Sequence, residues 1–249
     1  MSSAAKPPVT DNSQQEITEP DIQARLRTLR GRIRSAATAA GRDPGSIRLI
    51  AVSKYQPAAY IQQAITAGQT VFGENTVQEA QTRQALMSDP QTEWHFIGHL
   101  QTNKARFIPG NFSWLHTLDS LKLARKLSTS SVAAGQRLNV LVQVNISQDP
   151  DKHGLAPESV TPFVEEFLDA GLPGIRLRGL MTIGRRTATG ADRAADFSGL
   201  RGLRDNCADR FGAGYFQELS MGMSHDFETA IRCGATMVRI GHAIFGARP

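Results

Sequence analysis

No stretch of this 249-residue chain approaches the ~20 consecutive apolar residues that a membrane-spanning helix needs, so a helical membrane span is excluded. The opening residues, MSSAAKPPVTDNSQQ, carry no apolar segment of the secretory-signal type, and the expected location is the cytoplasm. Cysteine is nearly absent. Cys207 and Cys233 stand without metal-ligand spacing, which fits reduced thiols and gives no sign of a metal site. Aromatic residues make up only 6%, and no basic stripe is interleaved with them. The net charge of +5 therefore points away from nucleic acid and fits an anionic small ligand. Basic clusters at 25–34 and 201–210 fall on expected helices, where mixed charge marks a solvated face. No Gly-x-Gly-x-x-Gly follows an early strand, which argues against a doubly wound dinucleotide-binding sheet.

What is present is a repeat of strand, short loop and helix. Residues 1–18 are Ser-, Pro- and Gln-rich without periodicity and read as a flexible tail. From Asp21, the apolar residues Ile22, Leu26, Leu29, Ile33, Ala36 or Ala37 and Ala40 follow helical spacing, and Gly41 ends the helix. Apolar strand patterns then recur near 49–54, 71–75, 94–98, 114–118, 138–146, 176–183, 216–221 and 237–241, separated by helical stretches. Eight such units in a chain of this length predict an α/β protein: a single (β/α)8 TIM barrel over 19–249 with an extra N-terminal helix. Chemistry in such a barrel gathers at the C-terminal ends of the strands. Residues distant in sequence then share one site.

Two features stand out at those ends. In the first, Leu49-Ile50-Ala51-Val52 leads through Ser53 into Lys54, and Pro57 bars further strand. A lysine partly buried at a strand end has its pKa lowered by desolvation, leaving an amine able to condense with an aldehyde. The alternative is a lysine that snorkels to solvent and holds a carboxylate. In the second, Gly222-Met223-Ser224 and Arg239-Ile240-Gly241-His242 follow strands seven and eight, where barrels commonly bind phosphate. Ser224 is expected to cap the helix that follows it. Each glycine read singly serves a turn; together the two loops favour an anion site. An aldehyde-binding lysine facing a phosphate cup suits pyridoxal 5′-phosphate (PLP). Arg239, lying between, would disfavour protonation of the pyridine nitrogen. An ion pair of Arg239 with Glu218 or Glu74 is its alternative role. His95 and His99 lie i, i+4 across a strand end rather than on a helix, so a metal reading is weak.

The segments AVSK (51–54), FGEN (72–75), VQEA (77–80), WHFIGHLQTNK (94–104), VQVNIS (142–147), GLMTIG (179–184), LSMGMSHDFETAI (219–231) and MVRIGHAIFGAR (237–248) resemble the pyridoxal phosphate homeostasis protein family. They come in that family's order and cover nearly everything beyond the tail. The resemblance implies a barrel of PLP fold type III, similar to the N-terminal domain of alanine racemase. It implies that Lys54 holds the cofactor as a Schiff base and that Arg239 approaches the pyridine nitrogen. Ser224, Gly241 and the backbone at His242 would hold the phosphate, and Asn75, His95 and Met181 would line the cofactor. The position of His242 is usually Thr or Ser in that family, so a side-chain hydroxyl is replaced by imidazole.

The expected function is that of a cofactor carrier or buffer in intracellular PLP homeostasis, with apo PLP-dependent enzymes as possible recipients and a monomeric state. A racemase-like enzyme using Lys54 as base is the alternative. Racemases resembling this barrel draw a second acid/base, a tyrosine, from an additional domain and the dimer partner. Among this chain's three tyrosines only Tyr55 lies beside the lysine. A Schiff-base aldolase acting on a sugar phosphate would use the same lysine and cup.

Overall fold

A computed structural model describes residues 21–87, 91–184 and 189–246; the tail expected at 1–18 lies outside them. Helix α1 (Ile22–Ala39) begins where the Asp21 carboxylate accepts the amide of Ala24 at 2.8 Å, and Gly41 follows it with φ of 66°. Its apolar stripe, Ile22, Leu26, Leu29, Ile33, Ala36 and Ala37, is buried. The strands β1 (Arg48–Val52), β2 (Val71–Glu74), β3 (Glu93–Phe96), β4 (Trp114–Leu118), β5 (Leu138–Gln143), β6 (Ile175–Met181), β7 (Glu218–Ser220) and β8 (Met237–Ile240) close in sequence order into a parallel barrel. The closure is the β1–β8 pairing, with Ile50 opposite Arg239. Outside lie α2 (Ala58–Thr66), α3 (Val77–Leu86), α4 (Leu121–Ala133), α5 (Pro157–Asp169), α6 (Gly190–Phe211), the short α7 (Phe227–Arg232) and the single turn α8 (His242–Phe245). Between β3 and β4 the chain forms a 3-10 turn, Thr102–Phe107, in place of a full helix.

Side-chain alternation splits the core into two shells. The larger fills the space between barrel wall and helices and includes Ala51, Val140, Val142, Leu180, Val238 and Ile240. The smaller, Ile50, Trp114, Leu141, Met181 and Met237, fills the barrel interior. Arg48, Ile50 and Val52 therefore share the inner face of β1, as Met237 and Arg239 do on β8. Strands β1 and β5 are shorter than their apolar patterns suggest: β1 ends at Val52 and β5 at Gln143. Lys54 and Asn145 thus stand beyond the ladder, in turns.

A bulge decides one inward position. Val140 pairs with Leu177 and the next residue, Leu141, pairs with Gly179, so Arg178 is an extra residue in β6. Ile175 and Leu177 face the helices, and unbroken alternation would send Met181 the same way. The inserted residue reverses the parity and turns Met181 into the lumen. Gly179 makes the close approach possible, since a Cβ there would lie 1.9 Å from the carbonyl oxygen of Glu218.

Candidate functional site

At the end of β1 the chain turns through Ser53-Lys54-Tyr55-Gln56, closed by the Gln56 amide donating to the Ser53 carbonyl at 3.1 Å. Tyr55 sits at the third position of the turn with φ of 61°, a left-handed conformation more usual for glycine. The turn is held from the β2–α3 segment. The Ser53 hydroxyl donates to Glu74 Oε1 at 2.5 Å, the Tyr55 amide donates to Glu79 Oε1 at 3.3 Å, and Arg83 Nη2 donates to the Gln56 carbonyl at 3.3 Å. Arg83 Nη1 lies 2.7 Å from Glu74 Oε1. This clamp occupies the outer side of the wall. Lys54, half-buried, stands in this turn at the C-terminal end of β1. Glu74 is fully buried, and desolvation pushes its carboxyl up to about 7 against the pull of Ser53 and Arg83.

Beside the turn, on the neighbouring strand β8, is Arg239, which is buried. Its Nη1 donates to Ser220 Oγ at 2.6 Å and its Nη2 to the Thr182 carbonyl at 2.8 Å. Both partners are neutral, and among the described residues Arg239 makes no ion pair. The two carboxylates that compete for it in sequence are engaged elsewhere: Glu218 accepts from Thr236 and Glu74 pairs with Arg83. Burial lowers the Arg239 pKa to about 10, which leaves it charged at neutral pH. The interior thus holds a cation without an ion pair among the described residues, its burial opposed by the charge of the Asp226 carboxylate.

The β7 and β8 loops meet beside it. Ser224 does not cap α7 as its sequence position suggests. Asp226 stands at the N-cap instead, and its Oδ1 accepts the Met223 amide at 2.6 Å. Ser224 Oγ reaches across to accept the Ala243 amide at 3.3 Å, tying the two loops together. Gly222, at φ of 94°, leaves no room for a side chain, since a Cβ would lie 2.6 Å from that of Ala230. A Cβ on Gly241 would approach the Val52 carbonyl oxygen to 3.0 Å. Among the described residues the amides of Ser224, Gly241 and His242 meet no protein acceptor. His242 is exposed, with its ring centroid 6.2 Å from that of His225.

Lys54, Arg239, Ser224, Gly241 and His242 are therefore brought to one end of the barrel. Asn75, one residue beyond β2, joins them, with its backbone packed on Gly98. Met181 lies on the floor among the interior residues. His95 is deeper than a lining residue need be. It is fully buried, stacked on Trp114 at 5.4 Å, with Nδ1 2.9 Å from His116 Nε2 and Nε2 3.4 Å from Glu93 Oε1. His99 faces a different way and stacks on His153 at 3.8 Å. Sequence reasoning put Ser220 at this end of the barrel without a role for it, and missed His116, Glu93 and the Glu74–Arg83 clamp. The available signal was parity: Glu93 and His95 are two apart on one strand, as Trp114 and His116 are on the next.

The alanine racemase N-terminal domain family matches residues 24–249. The pyridoxal phosphate homeostasis protein of Pseudomonas aeruginosa is 47% identical over 227 residues, covering 91% of this chain and 96% of that one. Its counterpart in Escherichia coli K12 is 42% identical over 238 residues, covering 92% and 97%. This chain belongs to the pyridoxal phosphate homeostasis protein family. Among solved structures, PipY of Synechococcus elongatus, described with PLP bound, is 37% identical with a TM-score of 0.80 over 90% of this chain and 100% of its own. Alanine racemase of Streptomyces coelicolor, 19% identical with a TM-score of 0.67, shares the fold. The homeostasis-protein family thus supplies a ligand against which the mouth can be tested, and the residues suit it. A buried cation that makes no ion pair among the described residues suits an aromatic nitrogen lone pair, and glycine-lined loops with free amides suit a phosphate.

Proposed function

We propose that this protein binds PLP at the C-terminal mouth of its barrel, as a Schiff base on Lys54, and acts in PLP homeostasis as a cytoplasmic carrier or buffer. The observation that supports the proposal is a buried Arg239 without an ion pair on β8, next to the strand that ends at Lys54, with the loops after β7 and β8 meeting beside it. The cofactor would supply an aldehyde for the lysine and, in other settings, an electron sink for amino-acid chemistry. Lys54 would anchor it, and the clamped turn would hold the amine at the end of β1. Arg239 would face the pyridine nitrogen and keep it from taking up a proton, which weakens that electron sink. The amides of Ser224, Gly241 and His242, with Ser224 Oγ, would receive the phosphate. Asn75 and Met181 would border the ring, with His95 beneath. On this reading residues 19–249 form one binding domain behind a tail at 1–18, the protein is monomeric, and apo PLP-dependent enzymes are the recipients.

The test is an absorbance titration of the apo-protein with PLP. The wild type should develop the band of a lysine-bound cofactor, and Lys54→Ala should not. An unchanged spectrum in the wild type would refute the proposal. Incubation of the loaded protein with L-alanine in deuterated water separates a carrier from a racemase-like enzyme using Lys54 as base. Exchange of the α-proton at turnover rates would contradict the carrier reading.

A further inference from the structure

A line of polar groups crosses the barrel interior from Arg239 to the opposite mouth. Arg239 Nη1 donates to Ser220 Oγ, and Ser220 Oγ lies 2.9 Å from His116 Nδ1. His116 Nε2 lies 2.9 Å from His95 Nδ1. His95 Nε2 faces Glu93 Oε1 at 3.4 Å, and Glu93 Oε2 lies 3.5 Å from Arg48 Nη1. Ser220, His116 and His95 are fully buried, whereas Arg48 and Glu93 are partly exposed at the start of β1 and β3. The line therefore begins at the proposed cofactor floor and ends at solvent on the far side.

Its ends fix the direction of every proton. Arg239 has only N–H groups, so Ser220 Oγ accepts from it, and the Ser220 proton needs an acceptor. His116 Nδ1 is that acceptor, which places the His116 proton on Nε2, pointing at His95 Nδ1. The His95 proton then lies on Nε2, which has no hydrogen-bond partner among the described residues but lies 3.4 Å from the attracting Glu93 carboxylate. The reversed order would leave the Ser220 proton facing no acceptor among the described hydrogen bonds. It would also set a bare imidazole lone pair against a carboxylate. Ser220 and His116 both donate and accept, so these bonds polarise one another in a single sense. The arrangement requires neutral rings. Burial lowers the pKa of His95 and lowers that of His116 well below the ordinary value, helped by Arg239 and Arg48; Glu93 and Glu218 pull His95 the other way.

We propose that His116 is a positioning residue: with Ser220 and His95 it forms a one-directional hydrogen-bond chain, ended by the nearby charge of Glu93, that fixes the Arg239 guanidinium at the floor of the barrel mouth. The chain and the Thr182 carbonyl use one N–H on each terminal nitrogen, and the remaining edge is turned to the ligand. The ligand part of this inference rests on the PLP reading above; the proton order does not.

The proton order is read in the cofactor-free wild type by long-range 1H–15N spectra of its six histidines. Both rings should carry their proton on Nε2 and remain neutral from pH 5 to 8. A proton on Nδ1 of either ring, or a ring that titrates in that interval, overturns the chain. The positioning role is read in Ser220→Ala, which cuts Arg239 from His116. PLP should be held at least tenfold more weakly, and the pH titration of the bound-cofactor band should shift. Unchanged affinity together with an unshifted titration overturns the role. Should Ser220→Ala fail to fold, His116→Gln takes its place: the same weakening and shift are expected, and their joint absence again overturns the role. A wild type that shows the proton order but takes up no PLP refutes the cofactor reading and the positioning role while the chain stands, so the two failures are distinct.

Discussion

A single methyl group at Gly98 tests how the mouth is built. Gly98 follows β3 and is buried; a Cβ on it would lie 2.2 Å from the carbonyl oxygen of Asn75 and 2.8 Å from both its Cα and carbonyl carbon. Ordinary contact begins near 3.4 Å, and the obstructing atoms are backbone, which no rotamer change moves aside. Gly98→Ala must therefore push the end of β2 outward by about 1 Å, at a cost of ~1–3 kcal/mol, the usual range for overpacking. For a domain of this size that lowers the thermal midpoint by roughly 2–12 °C. Because Asn75 borders the proposed ligand, PLP affinity should fall by about tenfold or more, as positioning errors of this size do. Gly202→Ala is the control. Gly202 is exposed within α6, has nothing within 4 Å of its would-be Cβ, and should gain ~0.5–1 kcal/mol from the higher helix propensity of alanine. Calorimetry of the apo-proteins and an absorbance titration measure both quantities. A Gly98→Ala variant as stable as the wild type, with unchanged affinity, would refute the packing argument.

Two further predictions concern the clamp behind Lys54. The Glu74 carboxyl is raised from 4.5 to about 7 in the folded protein. Its favourable contribution is therefore complete below about pH 4.5 and is lost as pH rises through 7. The wild type should lose ~3 kcal/mol across that interval. Urea unfolding at pH 5 and pH 8.5 checks this: Glu74→Gln should flatten the difference, and an equal fall in both proteins would count against it. Arg83→Met removes the partner of the same carboxylate and should cost ~3–5 kcal/mol at pH 8.5, less at pH 5, where protonation relieves the buried charge. The variant should also bind PLP more slowly, since Arg83 and Glu79 hold the two residues that follow Lys54 in the turn. A cost independent of pH would contradict the assignment.

The barrel was legible because its evidence is local: each apolar run, each breaker and the stripe on α1 can be read within a dozen residues. Lys54, Arg239 and Gly241 were legible for the same reason, as chemistry-bearing residues at the ends of such runs. What escaped depends on stagger between strands. Met181 was named only through the family resemblance; it turns inward because Arg178 is an extra residue, and the run from Ile175 to Leu180 gives no sign of a bulge. Ser220, His116 and His95 are linked across β7, β4 and β3, a relation set by barrel closure rather than by any spacing in the chain. Ser224 sits where a helix cap belongs, yet it bridges to Ala243 because Asp226 takes the capping position. Glu74 was legible only as a rival partner for Arg239; its pairing with Arg83 depends on how α3 packs against the barrel wall.

The central claim is that the Lys54 amine anchors the ligand at the barrel mouth. Borohydride reduction of the PLP-loaded protein, followed by peptide mass mapping, tests it most directly. The account predicts the reduced pyridoxyl group on the peptide that contains Lys54. The same label found instead on Lys104, Lys122, Lys126 or Lys152 would contradict it.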